Sequence, residues 1–425
     1  MIKPMTELPA PPTSEFTLDN GLKVIVREDR RTSEVGLMLS YLTGPDLECP
    51  EDFGISRLLL DALLYEYDED FLEEIGATYF SAGRDNHHLL QLLAPSNHLE
   101  FALKTLSTTM NAQLSDETLR YALDENILRS KEKSSFVSAI SYSPEFEALI
   151  NMGSLYYRAP EALTANLERL PLEQIRRWYQ SWYAPNNAVL VVVGDVQINE
   201  AKRLIENCFG AHIRRDIPFR PFVHAPPAPG YRQMTQHLDT KYPLMLVAFN
   251  TPGVITTAGA ESQRALRVLG YLLEGTVPTR LTMFGKNRSK LASTVAGSSP
   301  FSNQFKVAFH FEGDPSEAEA DFWKLLEEVK RKPFSPEEIE PAITKQCTEA
   351  QQRLDTLEGQ LIHISFLSLS GQPWQLIDTK VAQLQSVTPE DVHRTANAYL
   401  TRECASVAYV YPLAEKEPEV TKASE

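Results

Sequence analysis

Arg57 and Asp61 are oppositely charged residues that stand four positions apart in the largely apolar segment 54–64. Residues with this spacing share one face of an α-helix, so we expect an ion pair worth about 0.2–0.5 kcal/mol if it is exposed. Arg57 is a permanent cation that cannot ligate a metal, and Leu60 beside it cannot accept a proton. Asp61 could ligate a metal, but one carboxylate is not a metal site. The segment therefore predicts charge pairing rather than catalysis.

Other residue patterns that could support catalysis or cofactor binding are weak. His87 and His88 are adjacent, and neighbouring residues on a strand point to opposite faces, so they cannot bind one ion together. No other two histidines stand three or four positions apart. The sequence contains no Gly-x-Ser-x-Gly elbow and no glycine-rich phosphate loop. These absences argue against a serine hydrolase and against a nucleotide-binding protein.

The elements that must position the charged pair follow from apolar periodicity. Segment 54–64 is predicted to be a core-facing helix, because its apolar residues recur at i, i+3 and i+4. These residues are Ile55, Leu58, Leu59, Leu63 and Leu64. Asp19-Asn20-Gly21 predicts a tight turn between two strands. Strands such as 189–193 and 306–311 alternate with the helical stretches 315–330 and 336–355, which favours sheets with helices packed on one face.

The chain also shows an internal duplication and a boundary between its two halves. Segment 242–250 is predicted to be a strand like 35–42, and a helix beginning at Thr388, followed by the apolar run 405–411, repeats the plan of 172–193. The proline-rich segment 218–230 cannot form a regular helix and predicts an extended linker. We therefore expect an N-terminal domain at 1–217, a linker at 218–230, and a C-terminal domain at 231–425 that ends in a short disordered tail.

Composition limits the partners and the compartment. The chain of 425 residues carries a formal net charge of −16 with a pI near 5.1, which argues against the binding of nucleic acid. Neither a signal-type apolar region nor a membrane span is evident. The four scattered cysteines suggest neither a disulfide framework nor a metal site. The cytoplasm is the expected location, with the periplasm as the alternative if a signal has been trimmed.

Several of these segments together resemble the M16 (pitrilysin/insulinase) metallopeptidases. The matching stretches are the strand pair 16–26, the helix 54–64, and the closing helix, Pro/Asn break and strand of 178–196. In active members the helix carries the inverted zinc motif His-x-x-Glu-His, whose positions fall here on Arg57, Leu60 and Asp61. The resemblance implies an α+β chain of two repeated M16-like domains, each a mainly antiparallel sheet, with the zinc ligands and the general base replaced.

The resemblance places three further sites. The family's third zinc ligand would fall near Glu125, Arg129 or Ser130. An arginine and a tyrosine that hold the substrate backbone in many members correspond to Lys286 and Ser293, a departure that puts even an assisting catalytic role in doubt. The segment 76–82 matches the start of the family's edge strand, to which extended peptides add a strand; its substrate-binding candidates are Thr78, Tyr79, Phe80 and Ser81.

The function that the resemblance implies is that of a pseudopeptidase without catalytic residues or a cofactor of its own. It would pair with an active M16 subunit that holds the zinc, or with itself, and would help to hold peptide substrate. Two alternatives stay open at this point. One is an active zinc metalloendopeptidase with unrecognised ligands, although His-x-x-Glu-His and His-Glu-x-x-His are both absent from the sequence. The other is a structural subunit like the core subunits of respiratory complexes.

Overall fold

The computed structural model describes residues 10–65, 67, 69–83, 86–131, 144–151, 160–219, 230–274, 292–297 and 302–413. The strands are β1 (Thr13–Thr17), β2 (Lys23–Glu28), β3 (Glu34–Tyr41), β4 (Thr78–Gly83), β5 (His88–Pro95), β6 (Ala188–Gly194), β7 (Arg232–Leu238), β8 (Leu244–Pro252), β9 (Ala292–Gly297), β10 (Ser302–His310) and β11 (Ala405–Pro412). The helices of the first half are α1 (Ile55–Leu64), α2 (Glu69–Glu74), α3 (Leu99–Thr108), α4 (Asp116–Lys131), α5 (Pro144–Ile150), α6 (Pro160–Leu167), α7 (Leu172–Trp182) and α8 (Ile198–Phe209). Those of the second half are α9 (Thr257–Leu273), α10 (Pro315–Arg331), α11 (Pro336–Leu354), α12 (Leu357–Leu369), α13 (Leu376–Gln385) and α14 (Pro389–Tyr399).

The strands form two mixed sheets that repeat one plan. The first sheet has the order β1-β2-β6-β3-β5-β4 and the second has the order β7-β11-β8-β10-β9. One pair in each sheet is parallel, β2 with β6 and β7 with β11, and every other pairing is antiparallel. The second sheet thus repeats the first without an equivalent of β1. The expected α+β fold with two mainly antiparallel sheets, and the expected duplication, are confirmed.

Local sequence explains the ends of the elements that the sequence predicted. The turn at Asp19–Gly21 joins β1 to β2, with Gly21 at a φ of 91° that favours glycine. Thr388 begins α14 with a capping box, since its side chain accepts from the backbone of Asp391 and the Asp391 carboxylate accepts from the backbone of Thr388. The strand pair predicted at 16–26 spans Thr13–Glu28, and the helix predicted to begin at Thr388 spans Pro389–Tyr399.

Each sheet buries both faces, which is why its central strands are apolar at consecutive positions. On β6, Leu190 and Val192 face the first half's own helices, whereas Val189, Val191 and Val193 face the opposite way. The main layer of helices lies on one face of each sheet, as expected. The other face is covered by a helix from the other half of the chain.

The halves exchange one helix each. From the second half, α12 packs Leu361, Ile364 and Leu367 against the first sheet. From the first half, α5 packs Phe146 and Ile150 against the second sheet. These two helices occupy equivalent places in the order of the repeats, after α4 and after α11. The exchange was not predicted from the sequence, because the receiving strands and the donated helix lie far apart in the chain.

Buried polar contacts fix the helix of the second half on the first sheet. Arg27 of β2 donates through Nε to Gln360 Oε1 at 3.0 Å and through Nη2 to Asp378 Oδ1 at 2.6 Å. Gln360 in turn donates to Asp29 Oδ2 at 2.7 Å. The hydrogen bond of Asp29 with Arg31 is the main reason that the Asp29 pKa falls to about 2. The first sheet and α12 are therefore joined by charge-assisted hydrogen bonds as well as by apolar packing.

Similar contacts fix α5 on the second sheet. Glu147 of α5 and Lys306 of β10 form a buried ion pair. Beside it, Gln304 Nε2 donates to Asn151 Oδ1 at 2.9 Å. The proposed division into 1–217, 218–230 and 231–425 stays a prediction, and residues 220–229 of the linker lie outside the described part of the chain. Its two sides correspond to the two separately hydrogen-bonded sheets.

Candidate functional site

A buried carboxylate holds the start of α1, the helix that carries the charged pair. Glu48 accepts hydrogen bonds from the backbone nitrogens of Gly54 and Ser56, both at 2.9 Å, and from Ser56 Oγ at 2.6 Å. Burial raises the pKa of Glu48, although these hydrogen bonds favour the charged form. Gly54 has a φ of 95°, and a Cβ there would meet Leu163 at 2.5 Å, so only glycine fits this approach. The first turn of α1 is therefore fixed in position.

The ion pair expected on α1 is confirmed, and it is part of a larger cluster. Arg57 Nε lies 3.6 Å from Asp61 Oδ1. The other carboxylate oxygen of Asp61 accepts from Arg129 Nη1 at 2.8 Å and from Asn126 Nδ2 at 3.1 Å. Asp61 is only 8% exposed. One buried carboxylate is thus held between two arginines and an amide, and the shortest of these contacts comes from α4 rather than from α1.

The structure separates the three positions considered for the family's third ligand. Arg129 contacts Asp61 directly, as described above. Glu125 approaches Arg129 Nη2 at 3.8 Å, and Ser130 Oγ turns away to hydrogen bond with Thr164 Oγ1 at 2.7 Å. Of the three candidates, the residue that contacts Asp61 is thus an arginine. Sequence spacing alone left this alignment open, because it depends on how α4 packs against α1.

The side chains at this place do not fit a zinc ion. Zinc is held by thiolate, imidazole or carboxylate donors, and a catalytic site adds a water that a base activates. Here two guanidiniums face one carboxylate. Leu60 is 1% exposed and lies in the hydrophobic core instead of facing a water. Nowhere in the described residues do three His, Cys, Asp or Glu side chains come together as a metal-binding group.

His88 is the buried imidazole of this region. Its Nδ1 lies 2.7 Å from the hydroxyl of Tyr183, and its Nε2 has no hydrogen-bond partner among the described residues. Burial lowers the pKa of His88 to about 3, with smaller effects from the charges of His87 and Arg57. His88 is therefore neutral at physiological pH. Its neighbour His87 hydrogen bonds with Asn86 and does not join it in a common site.

The proposed peptide-binding residues lie on an edge strand. β4 is the last strand of its sheet and is paired with β5; on its other side, none of the described strands is bonded to it. Along β4, Thr78 and Phe80 are exposed, Phe80 by 50%, whereas Tyr79 and Ser81 are partly buried. The ring of Tyr79 packs edge-on against Tyr67 at 5.6 Å. An unpaired edge with an outward aromatic residue is suited to strand addition.

The two predicted contact residues of the second half are placed less fully. Ser293 lies on β9, opposite Val307 of β10, and β9 is the edge strand of the second sheet. Lys286 lies outside the described residues. The roles assigned to both residues, and to the strand-edge residues above, stay predictions.

Sequence reasoning missed two parts of this site. Glu48 was not identified, because its role at the start of α1 needs an irregular turn between residues 48 and 54. Asn126 was also missed, although it lies on α4 three residues before Arg129 and thus on the same helical face. The i,i+3 spacing of Asn126 and Arg129 was the only available signal, and it does not name Asp61 as the partner.

Comparison with known proteins agrees with the observed fold. The model of the family described as "Peptidase M16 inactive domain" matches residues 169–346. A protease from Helicobacter pylori aligns with a TM-score of 0.83 at 16% identity, covering 95% of this chain and 100% of its own. A peptidase described as M16-like from Alicyclobacillus acidocaldarius aligns at 0.78 and 18% identity, covering 96% and 99%. The first half of the periplasmic protease PqqL from Escherichia coli aligns at 0.77 and 16% identity, covering 95% and 93%.

These matches identify the class of protein as an α+β chain with the architecture of M16-like peptidases. Residues 169–346 match the family's inactive-domain model, and the chain as a whole shares the fold of M16-like peptidases. No curated protein matches the sequence. Of the helices that the structure describes, none combines the length and apolar character needed to cross a bilayer.

Proposed function

We propose that this chain is the zinc-free subunit of a two-subunit M16 peptidase and that it helps to hold peptide for a partner that carries zinc. The observation that supports this proposal is the cluster around Asp61. The carboxylate that remains at the motif is neutralised by Arg57 and Arg129, so it is not available as a metal ligand. A subunit that binds no zinc can carry ion-paired residues at the positions where an active subunit needs metal ligands.

The edge of β4 is the proposed peptide-binding surface. An extended peptide would add a strand beside Thr78–Ser81, with main-chain hydrogen bonds supplying affinity and the outward Phe80 contacting a peptide side chain. Lys286 and Ser293 are proposed to contribute from the second half. The side chains at these positions offer no hydrogen-bond geometry like that of an arginine and a tyrosine, so we assign them contact and not catalysis.

A direct test uses the purified full chain, alone and mixed with an M16 subunit that retains His-x-x-Glu-His. Zinc content is measured for the chain, and cleavage of an internally quenched peptide is measured in both conditions. We expect substoichiometric zinc and no cleavage for the chain alone, with cleavage appearing or rising on mixing. Stoichiometric zinc with chelator-sensitive activity of the chain alone would instead establish an active peptidase with other ligands.

The peptide-holding role is tested separately within the mixed complex. Phe80→Ala should raise KM with little change in kcat, since it removes a contact made equally in the ground and transition states. Tyr242→Ala removes another exposed aromatic ring, 54% accessible in the connection between β7 and β8, and serves as the matched control. If the chain raises no activity on mixing and binds no peptide, the scaffold alternative is favoured.

The compartment is part of the same proposal. PqqL is named as a periplasmic protease, whereas the cytoplasmic location expected for this chain rests on its sequence. Fractionation of cells that produce the chain with its native start would decide between the two compartments. The partner must share that compartment for the proposed pairing to occur.

A further inference from the structure

The second half of the chain contains a cavity of about 880 Å³ that the proposed peptidase role does not use. It is lined by α9 on one side and by α11, α12 and α13 on the others. In the repeat, α9 and α11 take the places that α1 and α4 take in the first half. The degenerate motif of the first half is closed by side chains, whereas the equivalent place in the second half is open.

Cations outnumber carboxylates among the charged side chains that line the cavity. The described lining residues include four cationic side chains and two carboxylates, Glu274 and Glu349. The cations are Arg264, Arg267, Arg353 and Lys380. Glu349 accepts a hydrogen bond from the hydroxyl of Tyr271, which also faces the cavity. The cavity wall therefore carries an excess of positive charge in a protein whose overall charge is strongly negative.

None of the four cations forms an ion pair with a residue in the described parts of the chain. Arg267 and Arg353 have no ion pair and no side-chain hydrogen bond with any residue in the described parts of the chain. Lys380 donates to His363 Nδ1 at 3.2 Å, and His363 is neutral because burial lowers its pKa to about 3. Burial, together with repulsion from Arg267 and Arg353, lowers the pKa of Lys380 to about 8. These charges repel one another around an open volume.

Two buried amides beside the cations also lack acceptors. Gln263 of α9 is 7% exposed and Gln346 of α11 is 5% exposed, and both line the cavity. Their Nε2 atoms have no hydrogen-bond partner among the described residues. A buried donor without an acceptor is uncommon in a native protein and points to a group that supplies one. The two amides and the cations lie on facing helices of the same cavity.

We propose that this cavity is a binding site for a small multivalent anion that carries phosphate or carboxylate groups. Arginine presents planar, paired donors that match the oxygens of both groups, and such charge-assisted hydrogen bonds are among the strong ones. The volume lies within the range of small-molecule sites. An anion here would supply acceptors for the two amides and negative charge that balances the excess of cations. The site is separate from the β4 edge, so it does not depend on the proposed peptidase role.

The test measures binding to the full chain by isothermal titration calorimetry at pH 7, with tripolyphosphate and with citrate as probes. Sodium chloride at matched ionic strength controls for screening. We expect saturable binding of at least one probe and a rise in melting temperature beyond that given by the salt control. The phosphate and carboxylate probes also show which group the site prefers.

Substitutions identify the site. Arg267→Gln should weaken binding at least about tenfold, since it removes a charged donor from the cavity, while leaving the ligand-free protein no less stable. Arg353→Gln, on the facing helix α11, provides a second variant in case the first fails to fold. Arg331→Gln is the matched control, because that guanidinium pairs with Glu328 on α10 away from the cavity. The affinity of Arg331→Gln for the probe should stay within about twofold of that of the unmodified chain.

Three results would overturn the proposal. The first is no saturable binding of either probe. The second is an equal loss of affinity in Arg331→Gln and Arg267→Gln, which would indicate a non-specific charge effect. The third is binding of a hexaglutamate peptide without binding of either small anion, which would assign the cavity to acidic peptides.

Discussion

Replacing Asp61 by alanine should destabilise the first half of the chain by about 2 kcal/mol, and the largest single share, about half, should come from Arg129. The hydrogen bond from Arg129 is 2.8 Å long and charge-assisted, but the guanidinium is half-exposed, so we take about 1 kcal/mol for it. Arg57 stands 3.6 Å away without a hydrogen bond and contributes about 0.3 kcal/mol. Asn126 loses one of its two acceptors, which costs about another 0.5–1 kcal/mol.

The assay is a pair of double-mutant cycles measured by thermal unfolding. One cycle combines Asp61→Ala with Arg129→Met, and the other combines it with Arg57→Met. We expect coupling energies of about 1 kcal/mol and below about 0.5 kcal/mol, respectively. A loss of 2 kcal/mol corresponds to a decrease of about 4–8 °C if a unit of 150–250 residues unfolds independently. Both couplings should shrink in 1 M NaCl, because the arginines are accessible to salt.

The reasoning fails if Asp61 couples to Arg57 as strongly as to Arg129. That result would mean that the local helical pair holds the carboxylate and that the contact from α4 adds nothing. The matched control is Lys104→Met on α3, which removes an exposed i,i+4 pair with Glu100. Its loss should leave the melting temperature nearly unchanged, as expected for a fully exposed pair.

Three further predictions concern buried or unusual groups. Glu147→Ala should lower the free energy of unfolding by about 3–5 kcal/mol, because the charge of Lys306 stays buried. Replacing both residues by apolar ones should recover much of that loss. Chemical denaturation measures the free energy of unfolding of each variant. His88 should lower the free energy of unfolding by about 2 kcal/mol when the pH falls from 7 to 5. Its pKa is about 3 in the folded protein and near 6.5 in the unfolded chain, so only the unfolded chain binds a proton in this range. The variant His88→Asn should remove that part of the slope, and an unchanged slope would contradict the assignment. Burial and the hydrogen bond to Asp52 raise the pKa of Cys49 to about 11. Because the thiolate is the reactive form, alkylation of Cys49 at pH 8 should be at least about tenfold slower than that of a free thiol. Asp52→Asn should increase this rate.

How far the fold could be predicted depended on the range of the interactions involved. The turn at Asp19–Gly21, the helix predicted at 54–64 and the helix start at Thr388 are set by residues within one or two turns, and all three were placed correctly. The two equivalent sheets also followed, because the apolar runs recur in the same order in both halves. The exchange of α5 and α12 did not, because apolar runs on a strand show that both faces are buried without showing which helix covers them.

The candidate site divides in the same way. The sequence predicted the pair Arg57–Asp61, since four-residue spacing on a helix is a local property, and the resemblance placed the start of an edge strand in segment 76–82, where β4 lies. It offered three positions for the third ligand and could not choose among them. Arg129 and Asp61 are 68 residues apart, so their contact exists only because α4 packs beside α1.

The sequence by itself indicated the resemblance to M16 peptidases, the repeated α+β plan and the absence of His-x-x-Glu-His, because each depends on residue type and short-range order. Only the tertiary structure decided that Asp61 is held by two arginines, that each sheet is covered by a helix from the other half, and that the equivalent place in the second half is an open cationic cavity. These features join residues tens to hundreds of positions apart, and packing rather than local periodicity brings such residues together.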